Sequence, residues 1–131
     1  MKKLFIKNIK GKGRGVFCNQ LIRKDETFEI CQLIVLPTED TDTLLSSHLS
    51  DYFFNFNKEE KTLALALGFG SLYNHAIYSN AAYVLNREQK TISFYALQDL
   101  PPNTEICINY GGEHGKDFKE WFESRNIHYT N

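Results

Sequence analysis

The sequence predicts a single, mainly β domain that carries short helices, and three observations support this prediction. Short apolar runs such as "TLALAL" and "TISFYAL" alternate with turn segments that contain glycine, proline or asparagine. The chain has 131 residues, which is the usual size of one domain with its own hydrophobic core. No linker or low-complexity segment divides it. We therefore expect one domain over residues 1–131.

The first half of the chain predicts three strand regions and one helix. The runs "LFIKN" and "GVFCN" flank the glycine-rich "IKGKGR" and predict a β-hairpin. The run "TFEICQLIVLP" predicts a longer strand that ends at Pro37. The segment "TEDTDTLLSSHLS" predicts a helix with Thr38 as its N-cap and acidic residues in its first turn. The run "DYFFNF" places Tyr52, Phe54 and Phe56 on one face of a strand.

The second half predicts further strands and a C-terminal helix. The solvated turn "NKEEK" precedes the strand "TLALAL", and "AAYVL" and "TISFYAL" flank "NREQK" as a second hairpin. The final strand is "EICINY", and "KDFKEWFESRN" predicts an amphipathic helix over about residues 116–126. Asp25 and Asn103 each precede a Glu-Ile-Cys or equivalent strand, and we expect both at turn positions with positive φ.

Charge and cysteine content exclude several classes of function. Fifteen basic side chains nearly balance sixteen acidic ones, so unaided binding to nucleic acid is not expected. The three cysteines, Cys18, Cys31 and Cys107, form no CxxC pair, and the histidines show no HxxxH spacing. We therefore expect neither a disulfide framework nor a metal site. The N-terminal residues lack the apolar core of a signal peptide, and no run could span a membrane. These features favour an intracellular protein without a membrane partner.

Three glycine-associated segments are candidates for chemistry. The segment "GKGRG" is neither a Rossmann fingerprint nor a P-loop, because its spacing differs and a strand follows it. It is either a flexible hairpin turn or a place where the backbone approaches a ligand closely. The segment "LGFGSLYNHA" ends in Asn74 and His75, which are polar groups directly after an apolar run. The segment "EICINYGG" ends in Tyr110, which either lies at the rim with its hydroxyl in water or presents it to a pocket.

In their order along the chain, these segments resemble the SET-domain family of protein lysine methyltransferases. "GRGVF" resembles the first SET motif, and "NHAIYSN" resembles the Asn-His-Ser-Cys-x-Pro-Asn motif, with Asn74, His75 and Asn80 retained. "EICINYG" resembles the last motif, with Tyr110 in the place of the catalytic tyrosine. "ALGFGSLYNHA" is similar to the minimal single-domain SET proteins of large viruses and bacteria. The resemblance implies the β-clip fold, with several small sheets and a knot-like C-terminal threading.

The sequence departs from the family pattern in two respects. Ile77 and Ser79 replace the usual cysteine and proline, which should affect local packing more than chemistry. The zinc-binding clusters that flank many SET domains are absent, so the helical segment at about 116–126 would stand in for the post-SET region. Its aromatic stripe, formed by Phe118, Trp121 and Phe122, either covers the cofactor or substrate channel or packs the helix onto the core.

The resemblance implies S-adenosyl-L-methionine as the cofactor and S-adenosyl-L-homocysteine as the product. It also implies two catalytic tyrosines, Tyr52 and Tyr110, and an aromatic channel that receives the lysine. Ile108 occupies a channel position that often governs methyl number, and we expect more than one methyl to be added. The cofactor site implied by the family comprises Lys12, Gly13, Arg14, Asn74, His75, Tyr110 and Trp121. The substrate channel comprises Tyr52, Phe54 and Ile108.

The partner implied by the resemblance is a lysine-bearing protein or peptide, with histone tails among the candidates. The small viral relatives form dimers, so a homodimer is compatible with the resemblance. Two other interpretations stay open at the level of sequence. One is a SET-like module that binds a peptide without catalysis. The other is a β-rich interaction domain that binds a partner through the aromatic surface at 52–56.

Overall fold

The computed structural model describes residues 3–11 and 13–112, and within these residues the chain forms two β-sheets. The first five strands are β1 (Leu4–Ile9), β2 (Gly13–Cys18), β3 (Thr27–Val35), β4 (Phe53–Asn57) and β5 (Thr62–Ala66). The next four are β6 (Asn74–His75), β7 (Ala81–Asn86), β8 (Thr91–Ala96) and β9 (Glu105–Ile108). One short helix, α1 (Thr41–Leu45), and the 3-10 turns Thr38–Asp40, Ser50–Tyr52 and Gly70–Leu72 lie between strands.

The five-stranded sheet has the order β4-β5-β3-β8-β7, and its neighbouring strands are antiparallel. Strand β3 lies at its centre and pairs with β5 and β8, and its buried residues alternate with exposed ones along much of its length. Along residues 30–33, Ile30 and Gln32 are exposed, whereas Cys31 and Leu33 are buried. The predicted hairpin of "AAYVL" and "TISFYAL" is present as β7 and β8, with Ala81 opposite Ala96.

The four-stranded sheet has the order β1-β2-β9-β6. The predicted N-terminal hairpin is present, with Ile9 opposite Gly13, and Gly13 has a positive φ of 82° at the turn. Strand β9 pairs antiparallel with β2 and parallel with β6. A late strand is therefore inserted between an early strand and a middle strand.

Both sheets contribute to one hydrophobic core. Val16 and Ile106 come from the four-stranded sheet, and Ile92 and Phe94 come from the five-stranded sheet. All four side chains are 0% exposed. Tyr73, from the segment just before β6, is also buried in this core. The core thus fixes the connection between the sheets, which is where the candidate site lies.

The helix prediction was right in kind but wrong about its cap. The segment forms a 3-10 turn followed by the five-residue α1, and the N-cap of α1 is Asp40, which makes no side-chain capping bond. The Thr38 hydroxyl instead donates a 3.0 Å hydrogen bond to the backbone oxygen of Glu60 in the β4–β5 turn. A contact with a distant part of the chain therefore replaced the local cap.

The prediction for "DYFFNF" was also wrong in part. Tyr52 ends a 3-10 turn, and β4 begins at Phe53. Phe53 and Phe54 are both buried, so both faces of this strand are covered at its start. A register shift between Asn55 and Asn57 then interrupts the alternation.

The positive φ predicted at two turn positions is confirmed, since Asp25 has a φ of 69° and Asn103 a φ of 67°. The predicted C-terminal helix, at about 116–126, lies outside the described residues. Within the part of the chain that the structure describes, no helix is long and apolar enough to cross a membrane.

Candidate active site

Tyr110 is held in place at three of its atoms by three residues, Tyr73, His75 and Tyr83, which come from two other parts of the chain. Its backbone N–H donates to Nδ1 of His75 at 3.0 Å, and its side-chain hydroxyl donates to the backbone oxygen of Tyr73 at 2.7 Å. Its own backbone oxygen accepts a 3.1 Å hydrogen bond from the Tyr83 hydroxyl. The rings of Tyr110 and His75 are 5.0 Å apart and tilted by 56°. The orientation of the phenol is therefore well defined.

The parallel pairing of β6 with β9 brings these residues together. His75 pairs with Ile108, and the N–H of Ala76 donates to the backbone oxygen of Ile108 at 3.0 Å. Tyr110 follows two residues after Ile108, where the strand has ended and the chain turns. The Asn-His segment and the final Tyr-Gly segment of the sequence thus become neighbours through one two-residue strand.

The environment of Tyr110 favours its neutral phenol. Burial raises the pKa of the Tyr110 hydroxyl well above its usual value, and the nearby Cys107 and Asp51 side chains raise it further. The hydroxyl therefore stays protonated at neutral pH and acts as a fixed dipole. Its oxygen can face a developing positive charge without itself gaining or losing a proton.

A pocket opens beside Tyr110 and brings together three of the sequence-predicted residues, Tyr52, Phe54 and Tyr110. It is a small cleft with a cavity volume of about 10 Å³. Aromatic side chains form much of its wall, and a carboxylate, Asp51, is part of its lining. The full lining is Asp51, Tyr52, Phe53, Phe54, Gly70, Ser71, Tyr73 and Tyr110.

Asn74 joins strands β2, β6 and β9 on the other side of this site. Its Nδ2 donates to the backbone oxygen of Arg14 at 3.0 Å and to Oε2 of Glu105 at 2.8 Å. Gly15 allows this close approach, because a Cβ there would lie 2.7 Å from Glu105 Oε2 and 3.2 Å from Asn74 Nδ2. By contrast, among residues 3–11 and 13–112 no atom lies within 4 Å of a Cβ built on Gly13, so these residues leave space open beside that backbone.

Asn80 is a third motif residue with a defined role in the geometry. Its Nδ2 donates to the backbone oxygen of Glu105 at 2.8 Å, and its Oδ1 accepts from the N–H of Cys107 at 2.9 Å. The side-chain amide thus pairs with β9 as a neighbouring strand would. This contact helps to fix the strand that leads into Tyr110.

Other predicted residues lie elsewhere. Ile108 is 0% exposed, belongs to the same core cluster as Phe54 and is not among the residues that line the pocket. Lys12 and Trp121, which the resemblance places at the cofactor, lie outside the described residues.

Sequence reasoning missed three residues that the structure places at the site. They are Asp51, Tyr73 and Glu105. Asp51 lines the pocket, and the backbone oxygen of Tyr73 accepts the hydrogen bond from the Tyr110 hydroxyl. The carboxylate of Glu105 accepts a hydrogen bond from the Asn74 side-chain amide. Each stands inside or beside a motif that was already recognised, next to Tyr52, Asn74 and Ile106 respectively. Their position in those motifs was the only available signal, because each contact joins segments that are far apart in sequence.

A metal centre does not form within residues 3–11 and 13–112. No group of three or more histidine, cysteine, aspartate or glutamate side chains in these ranges could hold a metal ion. Cys18 and Cys31 are buried, Cys107 is half-buried, and no disulfide joins any of these three cysteines.

The SET-domain family matches residues 13–111, a range that contains the pocket, Asn74, His75 and Tyr110. The chain belongs to the SET-domain family. This SET-domain protein is 30% identical over 121 residues to a histone-lysine N-methyltransferase of Schizosaccharomyces pombe, which is described as specific for lysine 37 of histone H3. The match covers 92% of this chain and 77% of the fission yeast protein. The family and this relative together identify the protein as a protein-lysine methyltransferase.

Solved structures support the same fold. A Plasmodium falciparum protein described as a candidate histone methyltransferase matches with a TM-score of 0.67 and 30% identity. That match covers 85% of this chain and 99% of the other. A chain of the Chaetomium thermophilum Polycomb Repressive Complex 2 matches with a TM-score of 0.69 at 18% identity. It covers 88% of this chain and 16% of the other, and it shows the fold alone. The predicted SET fold, mainly β with short helices, is confirmed.

Proposed function

We propose that this SET-domain protein transfers a methyl group from S-adenosyl-L-methionine to the ε-amine of a lysine in a protein substrate. The products would be methyl-lysine, S-adenosyl-L-homocysteine and a proton. The observation that carries the proposal is the position of Tyr110. Its hydroxyl borders an aromatic-lined pocket and is held 2.7 Å from the backbone oxygen of Tyr73.

The residues around Tyr110 fit S-adenosyl-L-methionine by their chemistry. When bound, this cofactor supplies a methyl group made reactive by a positively charged sulfur. The Tyr110 hydroxyl and the Tyr73 carbonyl place two oxygen atoms together, and oxygen dipoles favour a positive charge near them. The Gly13–Arg14 backbone, with the open space at Gly13, and the polar Asn74–His75 segment would hold the rest of the cofactor. Lys12 and Trp121 remain part of this proposal.

The pocket would receive the lysine side chain and change its protonation. A free lysine amine has a pKa of about 10.4, so at neutral pH almost all of it is protonated and unable to attack. Tyr52 and Phe54 line the pocket, and their aromatic rings would exclude water around a bound lysine, which disfavours the charged amine and favours release of its proton to solvent. The Tyr52 ring would also hold a methylated, positively charged amine against its face. We retain Ile108 as a determinant of methyl number and propose that more than one methyl is added.

The substrate class we propose is a basic peptide such as a histone tail. Asp51 is exposed at the pocket, and its Oδ1 accepts a 3.1 Å hydrogen bond from the Ser50 hydroxyl. A carboxylate at the pocket mouth attracts a basic side chain next to the target lysine. The fission yeast relative, described as acting on a histone H3 lysine, supports the same class. We also propose a homodimer, which analytical ultracentrifugation would test.

The experiment that tests this function begins with titration calorimetry of S-adenosyl-L-methionine. We expect saturable binding to the wild type and at least tenfold weaker binding to Asn74→Ala, because the Asn74 amide links β2 to β9. Transfer of a radiolabelled methyl group to a histone H3 peptide panel then measures catalysis. Tyr110→Phe should lower transfer at least 100-fold. Tyr78→Phe, the same chemical change at a side chain that is 79% exposed, should leave it unchanged.

Other outcomes would point to other functions. Cofactor binding without transfer to any lysine peptide would favour a SET-like module that binds peptides. No cofactor binding in the presence or absence of peptide would contradict the proposal and favour an interaction domain. Asp51→Asn should weaken peptide binding and reduce its salt dependence, while cofactor binding stays unchanged.

A further inference from the structure

A buried carboxylate, Glu29, lies behind the candidate site and is used by no step described above. It stands on β3 directly after a register shift in the pairing with β8, and it is 6% exposed. Its Oε2 accepts from the backbone N–H of Phe69 at 2.9 Å. Its Oε1 accepts from the Tyr73 hydroxyl at 2.6 Å. One carboxylate therefore holds both ends of the 69–73 segment.

The 69–73 segment ends at the carbonyl that meets the Tyr110 hydroxyl. Tyr73 is 1% exposed, and its ring packs 4.6 Å from that of Phe94. Its backbone oxygen accepts the 2.7 Å hydrogen bond from Tyr110. Tyr73 thus connects Glu29, through its own hydroxyl, with Tyr110, through its own carbonyl.

The middle of the segment is fixed by packing. A Cβ on Gly70 would lie 2.6 Å from the Cβ of Ala66 and 3.0 Å from Sγ of Cys31. The Ser71 hydroxyl accepts from the N–H of Ala66 at 3.0 Å. The segment therefore packs in one position against β5 and β3. The two hydrogen bonds to Glu29 then set the orientation of its last residue, Tyr73.

We propose that Glu29 and the Tyr73 side chain are positioning residues that hold the Tyr73 carbonyl at hydrogen-bond distance from the Tyr110 hydroxyl. This inference rests on the proposed function, because it assigns these residues to the lysine methyltransferase site. Burial of a carboxylate is costly, and an apolar residue that fills the same volume often serves stability as well or better. The carboxylate here fixes the orientation of the 69–73 segment, since it accepts hydrogen bonds from donors at both ends of that segment. Small displacements of groups at the reaction centre cost large factors in rate.

The test uses the full-length protein and two conservative variants. Tyr73→Phe keeps the ring and the carbonyl but removes the hydroxyl that reaches Glu29. Glu29→Gln keeps an acceptor for one donor but directs an amide N–H₂ at the other. Thr41→Val is the matched control, because it removes a buried hydroxyl that donates to the backbone oxygen of Lys61 at 2.6 Å, away from the pocket.

Three readouts separate positioning from simple stabilisation. We expect Tyr73→Phe and Glu29→Gln each to lower kcat at least fivefold, with KM for peptide and Kd for S-adenosyl-L-methionine within twofold of wild type. The double variant should be no slower than the slower single variant, because both act through one contact. The ¹³Cζ NMR signal of Tyr110 in labelled protein should shift in both variants. Thr41→Val should leave kcat and this signal unchanged, whatever its effect on stability.

The outcomes distinguish this inference from the proposed function. If wild type transfers no methyl group, the proposed function fails. The inference is then decided by the Tyr110 signal alone: a shift in both variants supports the positioning, and no shift overturns it. If wild type is active, unchanged kcat in both variants, or an equal loss in Thr41→Val, overturns the positioning role.

Discussion

The backbone N–H of Tyr110 donates a 3.0 Å hydrogen bond to Nδ1 of His75, a residue 35 positions earlier in the chain. This bond makes the imidazole an acceptor at Nδ1, so a neutral ring carries its proton on Nε2. It also explains why a histidine follows Asn74 in the sequence. The ring supports the turn that presents Tyr110 to the pocket, and no metal is needed for that role.

Replacement of His75 should therefore disturb both stability and catalysis. His75→Ala removes the acceptor of a half-buried N–H and the ring that packs on Tyr110, so we expect the free energy of unfolding to fall by about 1–3 kcal/mol. We also expect at least a tenfold lower kcat for methyl transfer. Urea denaturation and radiolabelled transfer would measure the two effects. His48→Ala, at an exposed histidine, is the control and should change neither. Wild-type values for His75→Ala would refute a supporting role for the ring.

A methyl group at Gly15 should weaken cofactor binding. In Gly15→Ala the new Cβ would meet Oε2 of Glu105 at 2.7 Å and Cδ1 of Ile9 at 2.6 Å. Relief of these contacts moves Glu105 away from Asn74, at a cost of about 1–3 kcal/mol in unfolding free energy. We expect at least fivefold weaker binding of S-adenosyl-L-methionine by calorimetry.

Gly11→Ala separates this effect from backbone strain. Gly11 has a φ of 85°, and within the part of the chain that the structure describes no atom lies within 4 Å of a built Cβ, so we expect its substitution to cost backbone strain and no steric clash. We expect it to lower stability with cofactor affinity within twofold of wild type. Equal losses of affinity in the two variants would show that the Asn74–Glu105 contact does not matter for binding.

The pairing of Asn80 with β9 should depend on its amide. In Asn80→Asp one oxygen can still accept from the Cys107 N–H, but the other replaces a donor and faces the backbone oxygen of Glu105. We expect a loss of about 1–3 kcal/mol in unfolding free energy at neutral pH, measured by urea denaturation. Asn86→Asp is the control, because Oδ1 of Asn86 only accepts from the Gln89 N–H on an exposed turn. That variant should stay within about 0.5 kcal/mol of wild type; a similar loss in both would contradict the role of Asn80.

Stability should fall at alkaline pH because two tyrosines are buried as neutral phenols. Burial raises the pKa of Tyr73, and the Glu29 carboxylate raises it further; burial likewise raises the pKa of Tyr110. Because the folded state holds these protons more tightly, their contribution is complete below the unfolded value of about 10. It is lost as pH rises from there toward the raised folded values.

The measurement is urea denaturation from neutral pH to about pH 11. We expect the decline above about pH 10 to be shallower in Tyr73→Phe than in wild type. Tyr78→Phe, at an exposed tyrosine, should follow the wild-type curve. A decline as steep in Tyr73→Phe as in wild type would mean that the Tyr73 phenol does not contribute to it.

Local patterns were sufficient to predict most of the strands. The alternation in β3, the two hairpins and the positive φ at Asp25 and Asn103 depend on residues that are neighbours in sequence. The family was likewise identified from three short motifs. Such features follow from backbone sterics and from the two-residue period of a strand, which every part of the chain expresses by itself.

The failures share one physical cause. Thr38 does not cap a helix because its hydroxyl finds a backbone oxygen 22 residues away. Phe53 is buried beside Phe54, contrary to the alternation predicted for that strand. In each case a contact with a distant segment, or burial beneath one, overrode the structure that the local sequence pattern predicted.

The sequence by itself determined the strands, the turns and the family to which this protein belongs. Only the tertiary structure decided how the site is assembled, because its contacts join distant segments: Asn74 with Arg14 across 60 residues, and Tyr73 with Glu29 across 44. Secondary structure needs only local sterics and periodicity, whereas these hydrogen bonds form only when distant segments have packed together. In the four-stranded sheet, β9 is inserted between β2 and β6. That insertion brings Asn74 and His75 together with Tyr110, and with it the pocket forms.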